Sequence, residues 1–161
     1  MLPSRKSENT SAAERPDRMK MDGRPQDNHF ELTEKLFRRY AQVHYINGQF
    51  SNAGFQFPRQ SVNRQKYSQA EDVLFDERGT YRDWGVLSFR VDDLPSRFPT
   101  EEPRYTFSPR HQPVEDNYAH SEVWCDRLPT TGQYVEPSPQ VKKLFRAVLS
   151  QRITIEIVAT V

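Results

Sequence analysis

A short polar segment in the second half of the chain carries side chains suited to acid–base chemistry. Residues 118–125 have the sequence YAHSEVWC. In an extended strand, His120 and Glu122 would project from one face, with their Cβ atoms roughly 7 Å apart. A carboxylate beside an imidazole can orient or charge the ring, which then works as a general base or acid. The pair therefore predicts a catalytic face on this strand.

A second imidazole, His111, lies upstream of this strand, before a loop that holds Glu115 and Asp116. A return of that loop would bring His111 beside His120 and Glu122. Two imidazoles and a carboxylate suit a divalent metal or acid–base hydrolysis, although the pattern indicates no particular metal or cofactor. The alternative is a solvated strand face, on which the histidine and the glutamate form cross-strand pairs with arginine or lysine.

A basic and aromatic segment, residues 54–68, provides the second candidate. Its basic residues are Arg59, Arg64 and Lys66, and it contains no acidic residue. Its aromatic residues are Phe55, Phe57 and Tyr67. Cations that contact phosphates, interleaved with rings that stack on bases, are typical of surfaces that bind single-stranded nucleic acid. The alternative is that the phenylalanines are buried anchors and the basic residues are solvated loop charges.

The net charge of +1 conceals a segregation of charge along the chain. Residues 71–126 hold 13 acidic and 6 basic residues, whereas residues 127–152 hold 5 basic and 1 acidic residue. Three of the latter basic residues decorate the polar side of a predicted helix: Lys142, Lys143 and Arg146. If this helix lies beside residues 54–68, the two form a surface that attracts an anionic partner, either nucleic acid or an acidic protein surface. Alternatively, the acidic middle of the chain folds against both and neutralises them.

Apolar periodicity predicts the elements that would position these residues. Leucine, tyrosine and valine recur at helical spacing over residues 30–43, and Ser138 with Pro139 forms a typical start for a second helix. A capping-box pattern at residues 68–71 predicts a short helix that ends at Phe75. Strand patterns cover four segments: 84–91, 104–107, 118–125 and 153–161. The sequence thus predicts an α+β fold, a mostly antiparallel sheet of about four strands with two main helices packed on it.

The length of 161 residues predicts one folded domain, over residues 30–161. Residues 1–29 are mostly polar and carry charges of both signs. This composition predicts a disordered arm. All three methionines of the chain fall in this arm, so translation from Met19 or Met21 is an alternative start. The sequence shows neither a secretory signal nor an apolar run of the roughly 18 residues that span a membrane. The single cysteine, Cys125, excludes an internal disulfide. Taken together, these features lead us to expect a soluble, cytoplasmic protein.

Three functional hypotheses follow from these patterns. The first is a binding or adaptor domain, in which residues 54–68 and the last helix engage an anionic partner. The second is a small hydrolase that acts on a phosphate-bearing substrate, with His120 as the base and Glu122 as its orienting group. In this hydrolase His111 would be a second base or metal ligand, and Arg64 would bind the phosphate. The third is a structural partner that forms an oligomer through its C-terminal strand.

Overall fold

The computed structural model of the chain describes residues 14–161, which form one six-stranded antiparallel sheet, a small hairpin and one α-helix. The strands of these residues are β1 (Lys35–Tyr40), β2 (Tyr45–Ile46), β3 (Gln49–Phe50), β4 (Arg59–Arg64), β5 (Gly85–Arg90), β6 (Tyr105–His111), β7 (His120–Arg127) and β8 (Thr154–Ile157). The helix is α1 (Pro139–Ser150). Short 3-10 turns occupy Asp17–Met19, Gln42–His44, Gln65–Tyr67, Ala70–Leu74 and Val91–Asp93. The large sheet has the order β6-β7-β4-β1-β5-β8, and β2 pairs with β3.

The main core lies between α1 and one face of the sheet. Phe145 of α1 is fully buried, with its ring centroid 4.1 Å from that of Phe107 and 4.8 Å from that of Phe55. Strands β1, β5 and β7 add further apolar side chains to this layer: Leu36, Leu87, Phe89, Val123 and Cys125. Complete burial of one such leucine, valine or phenylalanine contributes about 1.5–3 kcal/mol. The helix is therefore held to the sheet by packing along its whole length.

The helix predicted to begin at Ser138 is confirmed. The Ser138 hydroxyl accepts a hydrogen bond from the Val141 amide, and Pro139 occupies the first helical position, where a missing N–H costs nothing. Every fourth residue then faces the sheet and is buried: Val141, Phe145 and Leu149. Local sequence signals and tertiary packing agree here, so the sequence was sufficient to place this element.

The predicted first helix, over residues 30–43, is wrong, because these residues contain β1. Leu36 and Tyr40 are four residues apart, a spacing that suits one face of a strand as well as one face of a helix. The intervening Phe37 is also buried, since the 3-10 turn Ala70–Leu74 packs against β1. A central strand that is buried on both faces loses the alternation by which strands are recognised. The outer apolar residues of the predicted stripe are exposed to solvent: Leu32 and Val43.

The predicted α+β arrangement of about four strands and two main helices is therefore also wrong. The sheet has six strands, and residues 14–161 contain a single α-helix. Strand β4 was overlooked inside residues 54–68, because its buried positions are mostly polar: Gln60, Asn63 and Arg64. The short helix predicted to end at Phe75 is a 3-10 turn. Strand β6 continues through Pro109 to His111, which is possible because β6 is an edge strand.

Residues 14–29, the described part of the predicted arm, lie against the sheet. Met19 is buried, and its carbonyl accepts a 2.8 Å hydrogen bond from the Tyr118 amide. The Gln26 side chain donates to the His111 carbonyl. Residues 1–13 of the predicted arm lie outside the described residues. No helix in residues 14–161 has the length and apolar character needed to cross a membrane.

The sheet opens between its two central strands. Strands β1 and β4 pair only at Leu36 with Arg64 and at Phe37 with Asn63. Beyond these pairs, β1 stays paired with β5 and β4 stays paired with β7 to the ends of both strands. The remaining backbone of β1 and β4 therefore diverges, and the sheet is split into two halves that share one short junction.

Candidate anion-binding site

A cavity of about 420 Å³ lies where β1 and β4 diverge, and we call it the β1–β4 cleft. Its lining contains two arginines, two histidines, four amide side chains and one serine. Two rings form part of its wall: Tyr81 and Trp84. Among the described residues, the lining includes no aspartate or glutamate. Nearly every polar group of the cleft can donate a hydrogen bond, which suits an anionic ligand.

Arg38 is the most unusual residue of the cleft. Its side chain projects from β1 among core residues and is only 5% exposed. One terminal nitrogen, Nη1, donates a 3.0 Å hydrogen bond to the Arg39 carbonyl, while the buried Nε has no partner among residues 14–161. Burial and, to a smaller extent, the charge of Arg39 lower the pKa of Arg38 to about 10. The guanidinium is thus still charged at neutral pH, in a place where a charge without a counter-ion is costly.

His44 and Trp84 form one wall of the cleft, with ring centroids 5.3 Å apart in an edge-to-face arrangement. Nδ1 of His44 accepts a 3.0 Å hydrogen bond from the Ala41 amide, so the neutral ring carries its proton on Nε2. Burial lowers the pKa of His44, and the charge of Arg38 adds to the effect. The His44 ring is therefore neutral at pH 7.

The Arg39 guanidinium lies 3.7 Å from the centroid of the Tyr81 ring. Such a cation–π contact fixes the arginine without neutralising it. On the opposite side of the cleft, the amide nitrogen of Asn63 is buried and has no hydrogen-bond acceptor among the described residues. Both this amide and the Nε of Arg38 are buried donors that lack a partner among the described residues, beside the cleft.

His120, the predicted base, also lines the cleft. Its Nδ1 lies 2.7 Å from the Gln112 carbonyl, which can only accept, so Nδ1 carries the proton of the neutral ring. Nε2 is then an acceptor, and it lies 3.4 Å from the hydroxyl oxygen of Ser61. The group that orients the ring is therefore a backbone carbonyl.

Glu122 projects from the same face of β7 as His120, as the alternation predicted. Its carboxylate lies 3.7 Å from the Arg59 guanidinium and accepts a 3.3 Å hydrogen bond from the Trp124 indole. It does not line the β1–β4 cleft. The residue is thus placed in a cross-strand pair with arginine, which is the alternative that the sequence left open.

His111 projects from the opposite face of the sheet to His120, because His111 pairs with Ser121 across β6 and β7. The His111 ring is fully buried, with Nδ1 accepting from the Asp27 amide and Nε2 donating to the Tyr118 carbonyl. Burial lowers the pKa of His111, which favours this neutral ring. The two histidines therefore do not meet. Within residues 14–161, no three histidine, cysteine, aspartate or glutamate side chains are grouped as metal ligands.

Of the six basic residues predicted to bind anions, three lie apart from one another and three come together. Arg64 is fully buried, and both of its hydrogen bonds to the Glu34 carboxylate are 2.9 Å long. Lys66 forms a 2.9 Å ion pair with Asp27 near the surface. Lys143 is exposed on α1 and lines no described cavity. The remaining three come together beside α1.

Arg59, Lys142 and Arg146 line a second cavity, of about 370 Å³, which we call the α1 groove. It lies between α1 and the residues that precede β4. The two phenylalanines of the basic segment are anchors: Phe55 is fully buried and Phe57 packs against the core. The alternative that the phenylalanines are buried anchors therefore describes these rings. The last helix and residues 54–68 lie beside each other, as the binding hypothesis requires.

The sequence reasoning missed the residues of β1 that line the cleft, Arg38 and Arg39. The segment KLFRRY has no wholly polar face with either helical or strand periodicity, so the predicted helix did not single out these arginines. Interpreted as a strand, the segment places Arg38 on the same face as Leu36 and Tyr40. An arginine between two core residues is the signal that could have revealed the site.

Comparisons with known proteins add no assignment for this chain. No protein-family model matches it, and neither does any curated protein or solved structure. The C-terminal strand β8 lies at one edge of the sheet and pairs only with β5 among the described strands. The predicted oligomer through this strand stays a prediction, because an open edge is compatible with it but names no partner.

Proposed function

We propose that this protein is a binding domain for a small anionic ligand, whose phosphate or carboxylate group lies in the β1–β4 cleft against Arg38. The observation that carries the proposal is the buried guanidinium of Arg38, which has no acidic counter-ion among residues 14–161. A buried charge without a partner destabilises the fold. A ligand anion would supply that partner and form strong, charge-assisted hydrogen bonds.

The shape and lining of the cleft favour a ligand that also contains a flat ring. The volume of about 420 Å³ lies within the range of roughly 300–1,000 Å³ that is usual for small-molecule sites. Trp84 and Tyr81 line the cleft and are only partly buried, so a flat ring in the cleft would contact aromatic side chains. A nucleotide combines the two features, with a phosphate for Arg38 and a base for these rings.

Calorimetric titration with adenosine 5′-monophosphate and with adenosine tests the proposal. A charge-assisted hydrogen bond contributes about 1.5–3 kcal/mol, so we expect the nucleotide to bind about tenfold or more tightly than the nucleoside. Replacement Arg38→Met should remove this difference. The matched control is Arg90→Met, because Arg90 is exposed at the end of β5 and pairs with Asp92. Equal binding of nucleotide and nucleoside, or full affinity in Arg38→Met, would contradict the proposal.

A second candidate function is ester or phosphoester hydrolysis, and the contact between Ser61 and His120 favours it. Ser61 would attack the substrate, His120 Nε2 would take its proton and return it to the leaving alcohol, and water would release the product. The carbonyl of Gln112 would hold the ring in the required tautomer. This arrangement has the nucleophile, base and orienting group of a hydrolase, although the 3.4 Å separation is long for a hydrogen bond.

Labelling with a fluorophosphonate probe tests the hydrolase. The hydroxyl of Ser61 is expected to react in the wild type and to be unreactive in Ser61→Ala and in His120→Gln. Ser51→Ala is the control, since Ser51 lies outside the cleft. Labelling that persists in Ser61→Ala, or an absence of labelling in the wild type, removes this second candidate and leaves the binding function unaffected.

A further inference from the structure

The β1–β4 cleft and the α1 groove are neighbouring cavities. Gln56 lines both of them, and its backbone amide donates a 2.7 Å hydrogen bond to the side chain of Gln60, which also lines the cleft. Ser61 of the cleft and Arg59 of the groove lie two residues apart on the exposed face of β4. In an extended strand this separation is about 6.6 Å along the chain. The two cavities therefore adjoin at Gln56.

The α1 groove is cationic, and its basic residues lie beside rings. The Arg59 guanidinium is 4.6 Å from the centroid of the Tyr134 ring, and Arg146 is 5.1 Å from that of Phe57. Tyr134 is exposed and packs edge-to-face on Trp124. The ring of Tyr134 is therefore fixed in place while much of its surface faces solvent.

The charges of the groove are only partly neutralised. Lys142 forms an ion pair with Glu136, and Arg59 lies 3.7 Å from Glu122. Arg146 forms no ion pair with a residue of the described chain, and its buried Nε has no acceptor there. Burial lowers the pKa of Arg146, although Glu136 acts in the opposite direction. The groove thus keeps the charge of Arg146 without an acidic partner among the described residues, whereas Lys142 and Arg59 each have one.

We propose that the cleft and the groove form one path for single-stranded nucleic acid. One phosphate lies against Arg38, a following phosphate lies in the α1 groove against Arg146, and bases stack on Trp84 and Tyr134. Alternating cations and exposed rings are the means by which proteins bind single strands, because every base offers a face for stacking. An acidic peptide would use the cations and leave these rings without a role. The inference depends on the proposed binding function, which it extends from one anionic group to a chain of them.

The test compares oligothymidylate of about ten nucleotides with thymidine 5′-monophosphate over a series of salt concentrations. We expect the oligomer to bind about tenfold or more tightly than the monophosphate, with a slope of log K against log salt near −1.4 for two phosphates. The double variant Arg59→Gln with Arg146→Gln should reduce the affinity for the oligomer to that for the monophosphate. The monophosphate itself should bind the variant as tightly as it binds the wild type, because its site in the cleft is unchanged.

Lys143→Gln is the matched control, since it removes one charge from the exposed side of the same helix. It should leave the affinity for the oligomer unchanged. Equal affinities for oligomer and monophosphate would overturn the inference and leave the proposed function standing. A decaglutamate peptide that binds as tightly as the oligomer would overturn the assignment to nucleic acid. If neither thymidylate ligand binds, both the inference and the proposed function fail.

Discussion

Arg64 and Glu34 form a bidentate ion pair inside the fold, with two nitrogens of the guanidinium each 2.9 Å from a carboxylate oxygen. Arg38 lies on the neighbouring strand and is also buried, but it has no such partner within residues 14–161. The carbonyls of Asp27 and His29 accept further hydrogen bonds from Arg64, so its donors are used by the protein itself. The two buried arginines therefore have different roles, and their replacement should have opposite effects on stability.

Glu34→Gln should destabilise the protein by about 3–5 kcal/mol, because it leaves Arg64 buried without its counter-ion. Urea unfolding should show a lower free energy of unfolding, with an unchanged dependence of that free energy on urea concentration. The control is Glu31→Gln: Glu31 is exposed and pairs with the exposed His29, so its replacement should cost no more than about 0.5 kcal/mol. A loss in Glu34→Gln as small as that of the control would show that Arg64 is satisfied by its carbonyl partners alone.

Arg38→Met should raise the free energy of unfolding by about 1 kcal/mol while it abolishes anion binding. Removal of a buried charge relieves its desolvation, and loss of the hydrogen bond to the Arg39 carbonyl offsets part of this gain. A binding residue that lowers stability in the absence of ligand is expected at a functional site. Urea unfolding without ligand provides the measurement. Marked destabilisation would instead identify Arg38 as a structural residue of the split sheet.

The sequence was informative where local signals and tertiary packing agree. The serine and proline at the start of α1 and the spacing of Val141, Phe145 and Leu149 determine that helix without reference to the rest of the chain. Likewise, Asn47 and Gly48 both have positive φ in the turn of the β2–β3 hairpin, a conformation that this pair favours. In such segments, few residues decide the structure.

The two central strands could not be recognised from the sequence, because their burial depends on distant segments. In β1 both faces are covered, so the hydrophobic alternation disappears. In β4 the buried side chains are polar and are satisfied by partners far along the chain, such as Glu34 for Arg64. The cleft lies between these two strands, which explains why the sequence predicted His120 as a site residue but not Arg38.

Cys125 should be unreactive towards thiol reagents in the folded protein. Its side chain is only 1% exposed, and burial raises the pKa of the thiol to about 12, with Asp126 adding to the effect. The thiolate, which is the reactive form, is therefore scarce at neutral pH. Labelling with iodoacetamide should occur only after denaturation, and the rate under native conditions should follow the opening of the fold. Rapid labelling of the folded protein would show that the core between α1 and the sheet is accessible.

His44 should make both stability and ligand affinity depend on pH. Burial and the charge of Arg38 lower the pKa of His44 in the folded state below its ordinary value of about 6.5. The unfolded chain thus takes up this proton at a higher pH than the folded chain, so the contribution of His44 to stability is lost as the pH falls below about 6.5.

Anion affinity should change in the opposite sense, since a protonated His44 adds positive charge to the cleft and offers a second N–H donor once Nδ1 releases the Ala41 amide. His44→Asn keeps an acceptor for that amide but does not titrate. Urea unfolding and calorimetry are therefore measured as a function of pH for this variant and for the wild type. The difference between the two proteins gives the contribution of His44, separate from that of the buried His111. If the two proteins have identical pH profiles, His44 does not change its protonation state in this pH range.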